Sequence, residues 1–265
     1  PHDNRREKEG GESVSPAYPN GQRNEGYSYS SLSIKRIRVS FFSEEGEFLD
    51  VLFSGLYSGA VESVITPIIL AAGNSSRMGT PKALCDFEGY ACLELVLSAS
   101  RGIGQPIVVL GAAREEIQSK VDLSGVIVVV NEDRESGQTV SFKIGLRSLP
   151  TSAEAFLLFP VDTPLVTIED VDFLIAAYRR ERDPTKEIFI PSYGLRRGHP
   201  VLFRRFLAEE ILSLRDEAPA RSVMNLRPQR IRHVDFQDPY VLMDMDTPED
   251  YDRCLGSYRT RKRKR

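Results

Sequence analysis

Residues 65–82 read ITPIILAAGNSSRMGTPK, an aliphatic run, Ile65–Leu70, that passes directly into small residues, two glycines, two serines, an arginine and a lysine. A continuous apolar run of this kind fits a strand buried on both faces, as in a parallel sheet. The residues after it suit a strand-end loop that holds an anion. Gly73 and Gly79 allow close backbone approach, successive amide N–H groups can cradle negative charge, and Arg77 and Lys82 supply cations for a polyphosphate. The loop is not a Walker A sequence, which needs Lys followed by Ser or Thr after its second glycine, nor is it the dinucleotide pattern GxGxxG. By these residues alone, a Gly-Ser turn carrying two exposed cations stays open as the plainer alternative.

Outward from this stretch the same rhythm repeats. Ile107–Leu110, Val126–Val130 and Ala155–Val161 are further continuous apolar runs, and helical periodicity appears around 91–101, 113–120, 139–148 and 168–181. In the last of these, Ile168, Val171, Leu174, Ile175 and Tyr178 recur on one face. Segments 187–191, 200–203, 230–236 and 240–245 read as later strands, and 204–213, 220–226 and 248–255 as later helices. The expected fold class is α/β, a three-layer α/β/α sandwich with a mostly parallel sheet and no internal repeat.

The flanks read differently. Residues 1–30 are rich in Gly, Ser, Pro, Asn and charge, and such a segment buries too little surface to offset its ordering entropy. Residues 34–54 read as two apolar runs around Glu44-Glu45-Gly46-Glu47, a hairpin pattern. The expected division is a leader over 1–63, largely disordered, a main domain over 64–258, and a basic tail over 259–265.

Composition narrows the class. The chain has 265 residues, 41% hydrophobic and 28% charged, an ordinary globular balance. No apolar stretch approaches the roughly 18 residues of a membrane span, and a soluble, cytoplasmic protein is expected. Cys85, Cys92 and Cys254, with His2, His199 and His233, form no metal-ligand spacing and no disulfide framework. The formal charge of −3 conceals six positive charges in Arg259–Arg265, so the rest of the chain carries −9. That terminal run reads as a solvated tail, and the acidic body argues against a nucleic-acid partner.

Chemistry in an open α/β sheet sits beyond the carboxyl ends of the strands. Phe159-Pro160-Val161-Asp162-Thr163-Pro164 puts a carboxylate at such an end, where a divalent ion could bridge phosphate oxygens; a turn-forming Asp is the alternative. VLMDMDTPEDY, 241–251, adds Asp244 and Asp246, which share a face if the segment is extended. Thr247, Pro248, Glu249 and Asp250 have the order of a helix N-terminus. The loop Gly194–Pro200 could present Arg197 and His199 to an anion, although a histidine beside proline is more often a loop hydrogen-bonder. Residues 135–141, ESGQTVS, read as a helix start with spare donors.

Together these motifs resemble a family. LAAGNSSRMGTPK at 70–82, Asp162-Thr163-Pro164, RGHPVLF at 197–203, Ala220-Arg221 before an apolar segment, and MDMDTPEDY at 243–251 occur in the order seen in MobA-like nucleotidyltransferases. The resemblance spans roughly 64–255 and is strongest to the molybdenum cofactor cytidylyltransferase branch. It implies a Rossmann-like fold and transfer of a nucleoside monophosphate from a triphosphate to a phosphorylated acceptor, with release of pyrophosphate. For that branch the donor is CTP and the acceptor a phosphorylated pterin, molybdopterin. The Leu70-Ala71-Ala72-Gly73 form of the loop favours CTP over GTP.

The resemblance further implies site residues. Leu70, Ala71, Ala72, Gly73, Ser76, Arg77, Gly79 and Lys82 would hold the nucleotide, with Arg77, Lys82 and Asp162 catalytic. Asp162 with Asp246 or Asp244 would hold Mg²⁺, and Arg197, His199 and Arg221 would meet the acceptor. Val161 and Thr163 flank Asp162 where the family often has Gly and Gln, which leaves the acceptor open, and Tyr90-Ala91 stand where Lys or Gly commonly follows the turn, so the family's base contacts are not carried over to them. Alternatives are a guanylyl or sugar-phosphate nucleotidyltransferase, or a non-catalytic cofactor-binding partner of a client molybdenum enzyme.

Overall fold

A computed structural model describes residues 36–42, 48–54, 64–73, 77–133 and 137–263. Residues 1–30, on which the expectation of a disordered leader falls, lie outside it. The chain divides into two compact units, Pro1–Val61 and Glu62–Arg265. In the first, β1 (Arg36–Phe42) and β2 (Phe48–Ser54) pair antiparallel from Arg36 opposite Ser54 to Phe42 opposite Phe48.

The second unit is a sheet between helices. Its strands are β3 (Val64–Ala71), β6 (Ile107–Leu110), β7 (Ile127–Val130), β8 (Ala153–Pro160), β9 (Ile188–Tyr193), β10 (Arg196–Arg197), β11 (Val201–Arg204) and β12 (Ile231–Asp235); β4 (Asp86–Phe87) and β5 (Tyr90–Ala91) form a separate short ribbon. Along the sheet β7, β6, β3, β8, β11 and β9 lie side by side. The pairs β7–β6, β6–β3 and β3–β8 are parallel, β11 is antiparallel to both β8 and β9, and β12 pairs parallel with β9.

The apolar runs are continuous because both faces are covered. Ile65, Ile69 and Ala71 of β3 face one layer, where α1 (Cys92–Ala99) and α4 (Ile168–Arg180) contribute Leu93, Val96, Val171, Leu174 and Tyr178. Ile68 and Leu70 face the other, packed with Phe142 and Leu146 of α3 (Gln138–Arg147) and Leu207 and Ile211 of α5 (Leu207–Leu212). Helix α2 (Arg114–Lys120) lies in the first layer through Ile117, and α6 (Ser222–Leu226) in the second through Val223. In the second layer Phe156 and Phe203 stack at 5.2 Å, with Phe142 edge-on to Phe156. Truncating such a buried ring costs about 3–5 kcal/mol.

Two segments depart from the sequence reading. The strand expected at 240–245 is a 3₁₀ turn, Pro239–Leu242, followed by irregular chain. Asp238 accepts a hydrogen bond from the Tyr240 amide and Pro239 opens the turn, so local capping chemistry overrides the apolar pattern. Residues expected as a solvated basic tail continue α7 (Pro248–Arg263), because acidic partners from elsewhere in the fold meet them: Arg259 and Lys262 pair with Glu88, and Arg261 with Asp170.

Candidate functional site

The site forms where strand order reverses. The chain runs from β3 outward to β6 and β7, then returns to place β8 on the other side of β3, and such a switch opens a crevice at the carboxyl ends. Leu70 pairs with Pro160, and the Val161 amide donates to the Leu70 carbonyl at 3.1 Å. The glycine loop and Asp162 therefore leave the sheet side by side. Gly111, just after β6, lies so close to the Ala72 backbone that a Cβ there would clash, which seats the start of the loop against its neighbouring strand.

Antiparallel β11 delivers a second loop to the same edge. Val201 is opposite Leu158, so the preceding residues, Gly198 to Pro200, lie beside the end of β8. Gly198 has no room for a Cβ against Val241, and the His199 amide donates to the Val241 carbonyl at 2.9 Å. The chain from β12 then crosses back, and the Met245 amide donates to the Asp162 carbonyl at 3.1 Å. Thr247 and Asp250 cap α7 reciprocally, and the Asp250 carboxylate also accepts from the Asp246 amide at 3.1 Å.

The result is a cluster of opposite charges. Lys82, opening the 3₁₀ turn Lys82–Leu84, donates to Asp162 Oδ2 at 2.8 Å and to Asp246 Oδ1 at 2.6 Å. Arg77 lies 3.5 Å from Asp246 Oδ2 and is largely exposed. Burial opposes the Lys82 charge, but Asp162 and then Asp246 outweigh it and raise its pKa. The hydrogen bond from Lys82 holds the Asp246 carboxyl low. Asp244 meets no cation among the described residues, and its carboxyl is pushed up by partial burial and by the charges of Asp162 and Asp246. His199 is partly buried with its Nδ1 enclosed and unpartnered, and burial lowers its pKa against the pull of Asp162 and Asp244.

Two carboxylates already converging on one ammonium fit a divalent ion. Among the described residues no set of three His, Cys, Asp or Glu side chains forms a cage, and Mg²⁺ characteristically takes one or two carboxylates and fills its shell from phosphates and water. The arrangement can neutralise a polyphosphate with Arg77 and Lys82 while Asp162 and Asp246 hold its counter-ion.

Residues 67–234 match the family model of the MobA-like NTP transferase domain. The chain belongs to this family. The MobA-like chain is 29% identical over 202 residues to the nicotine blue oxidoreductase of Paenarthrobacter nicotinovorans, which covers 72% of this chain and 96% of the relative. It is 27% identical to the molybdenum cofactor cytidylyltransferase of Escherichia coli, over 71% of this chain and 94% of the relative. It is 25% identical to a probable molybdenum cofactor guanylyltransferase of Bacillus cytotoxicus, over 72% and 96%. Among solved structures, a manganese complex of Rv0371c from Mycobacterium tuberculosis superposes with a TM-score of 0.59 at 29% identity, covering 74% of this chain and all of that one. The fold is shared with a nucleotidyl transferase of Methanothermobacter, TM-score 0.61 at 24% identity over 74% of this chain and 97% of that one, and the protein is a nucleotidyltransferase of the MobA-like family.

Not every expected residue of the MobA-like site joins the cluster. Leu70 and Ala71 end β3, Gly73 is exposed, and Gly79 has a φ of 69°, a left-handed turn open to glycine without strain. Ser76 lies outside the described residues. Arg197 is exposed on β10 and its charge bears on His233, which shares a hydrogen bond with Ser192 at 2.8 Å. Arg221 is exposed at the start of α6, in the layer of α3 and α5. What sequence reasoning missed is the bracing: the Met245 amide on Asp162, and Cys92 Sγ donating to the Val161 carbonyl at 2.8 Å. Contacts to a backbone carbonyl from so far along the chain, 69 residues for Cys92, leave no local pattern to read.

Proposed function

We propose that this protein moves CMP from CTP to the phosphate of molybdopterin, releasing pyrophosphate. The observation that carries the transferase chemistry is the convergence of Asp162, Asp246 and Lys82 beside the glycine loop. The Leu70-Ala71-Ala72-Gly73 loop and the cytidylyltransferase name of the Escherichia coli relative support cytidine. Asp162 and Asp246 would hold Mg²⁺, which when bound supplies positive charge to the phosphate oxygens.

The residues of this chain then divide the work. The loop of residues 70–79 offers backbone amides to the triphosphate. Lys82 exchanges its carboxylate partners for phosphate oxygens, and Arg77, already at the rim, reaches the same group. Both stabilise charge gathering on the α-phosphoryl group and on departing pyrophosphate, while the acceptor phosphate attacks in line. No covalent nucleophile is needed. His199, whose pKa burial lowers, is assigned to the acceptor side of the site, and the exposed Arg197 and Arg221 to its outer contacts.

The test is pyrophosphate release with molybdopterin and Mg²⁺, with CTP and GTP in parallel. CTP-dependent release is expected. GTP preference supports instead the activity named for the Bacillus relative, and turnover of nicotine blue without pyrophosphate would replace transfer by the activity named for the Paenarthrobacter relative.

A further inference from the structure

Arg261 belongs by sequence to a basic run, yet its side chain is only 15% exposed. Its guanidinium meets three parts of the fold. One nitrogen donates to the Leu165 carbonyl, at the end of the turn that begins with Asp162. The other donates at 2.8 Å to Asp170 Oδ1, while Asp170 Oδ2 accepts from the amide and hydroxyl of Thr167 and so caps α4. Its Cζ lies over the Tyr240 ring, 4.5 Å from the ring centre, in the 3₁₀ turn leading to Asp244 and Asp246.

These contacts join the two segments that carry the acidic pair. Leu165 and Met245 are both buried in a small cluster with Cys92 and Cys254, directly beneath the Asp162 turn and the start of α7. A fork of fixed planar donors can hold a carbonyl and a carboxylate while stacking on a ring, which an ammonium cannot do at once. We infer that Arg261 is a positioning residue for the divalent cation of this site: it fixes the spacing of Asp162 and Asp246 from behind without touching metal or substrate. This rests on the two-carboxylate reading given above. Groups hydrogen-bonded to metal ligands typically change affinity by about 10–100-fold when removed, and Arg261, one contact further out, belongs at the low end of that range.

The test measures Mn²⁺ binding directly, from loss of the free-ion electron paramagnetic resonance signal, with and without CTP, alongside thermal unfolding. Arg261→Ala is expected to weaken Mn²⁺ binding about tenfold or more in protein that remains folded, with Arg261→Lys in between. A double variant, Arg259→Ala with Lys262→Ala, removes the exposed pairs to Glu88 on the same helix end and should stay within about twofold of wild type. Wild-type affinity in Arg261→Ala overturns the proposal, as does equal weakening in the double variant, which would make general docking of α7 responsible. If Arg261→Ala does not fold, Arg261→Lys decides, and wild-type affinity there overturns the proposal. Wild-type protein that takes up no Mn²⁺ in either condition instead overturns the carboxylate reading beneath it.

Discussion

Two cations, Lys82 and Arg261, connect the same two stretches of chain, the turn after β8 and the segment entering α7, and they do so in opposite ways. Lys82 joins them at the crevice through the carboxylates of Asp162 and Asp246. Its ties are exchangeable, because a divalent ion can replace the ammonium and phosphate oxygens can replace the carboxylates. Arg261 joins them from behind through a carbonyl, a helix-capping carboxylate and a ring, none of which faces the crevice chemistry. The two side chains are about equally buried, 17% and 15% exposed, so what separates them is the partners each one meets. Those of Arg261 are already engaged in the fold, since Asp170 also caps α4 through Thr167.

The sharpest way to break this comparison is Lys82→Ala. Pyrophosphate release should fall by about 10²–10³-fold while the melting temperature moves little. Full turnover would remove Lys82 from the chemistry, and unfolding would make its role structural. Next in size is the contrast between Asp246→Asn and Asp244→Asn. Asp246, already paired with Lys82 and braced by the α7 cap, should lose most of the Mn²⁺ response, whereas exposed Asp244 should keep most of it. The reverse order would move the second ligand to Asp244. The smallest expected effect is on thiols behind the site. Cys92 is fully buried and held well above the ordinary thiol pKa by that burial, and burial pushes Cys254 up to about 11. Alkylation at pH 8 should be slow in wild type and in Lys82→Ala, and faster in Arg261→Ala. Equal rates in all three would place Arg261 among the ordinary surface pairs.

Much of the frame was legible because its physics is local. Continuous aliphatic runs announce strands covered on both faces, and β3, β6, β7 and β8 fall on those runs. Thr247-Pro248 announces a helix start, and α7 begins at Pro248. The segment at 240–245 misled because its apolar pattern suits a strand, while Asp238-Pro239 sets a turn and the neighbouring strand ends give it no ladder to join.

The sequence by itself determined the layered α/β fold, a glycine-containing loop with Arg77 and Lys82 after the first aliphatic run, and the presence of acids at 162, 244 and 246. Those depend on side-chain periodicity and on chemistry within a few residues. Only the tertiary structure decided which acid meets Asp162 across Lys82, that Arg197 and Arg221 stand apart from that cluster, and that Arg261 is a partly buried tie and not part of a solvated tail. The reason is distance along the chain. Lys82 lies 80 residues from Asp162 and 164 from Asp246, and Arg261 lies 91 from Asp170, so strand order and packing, which no local pattern encodes, bring these charges together.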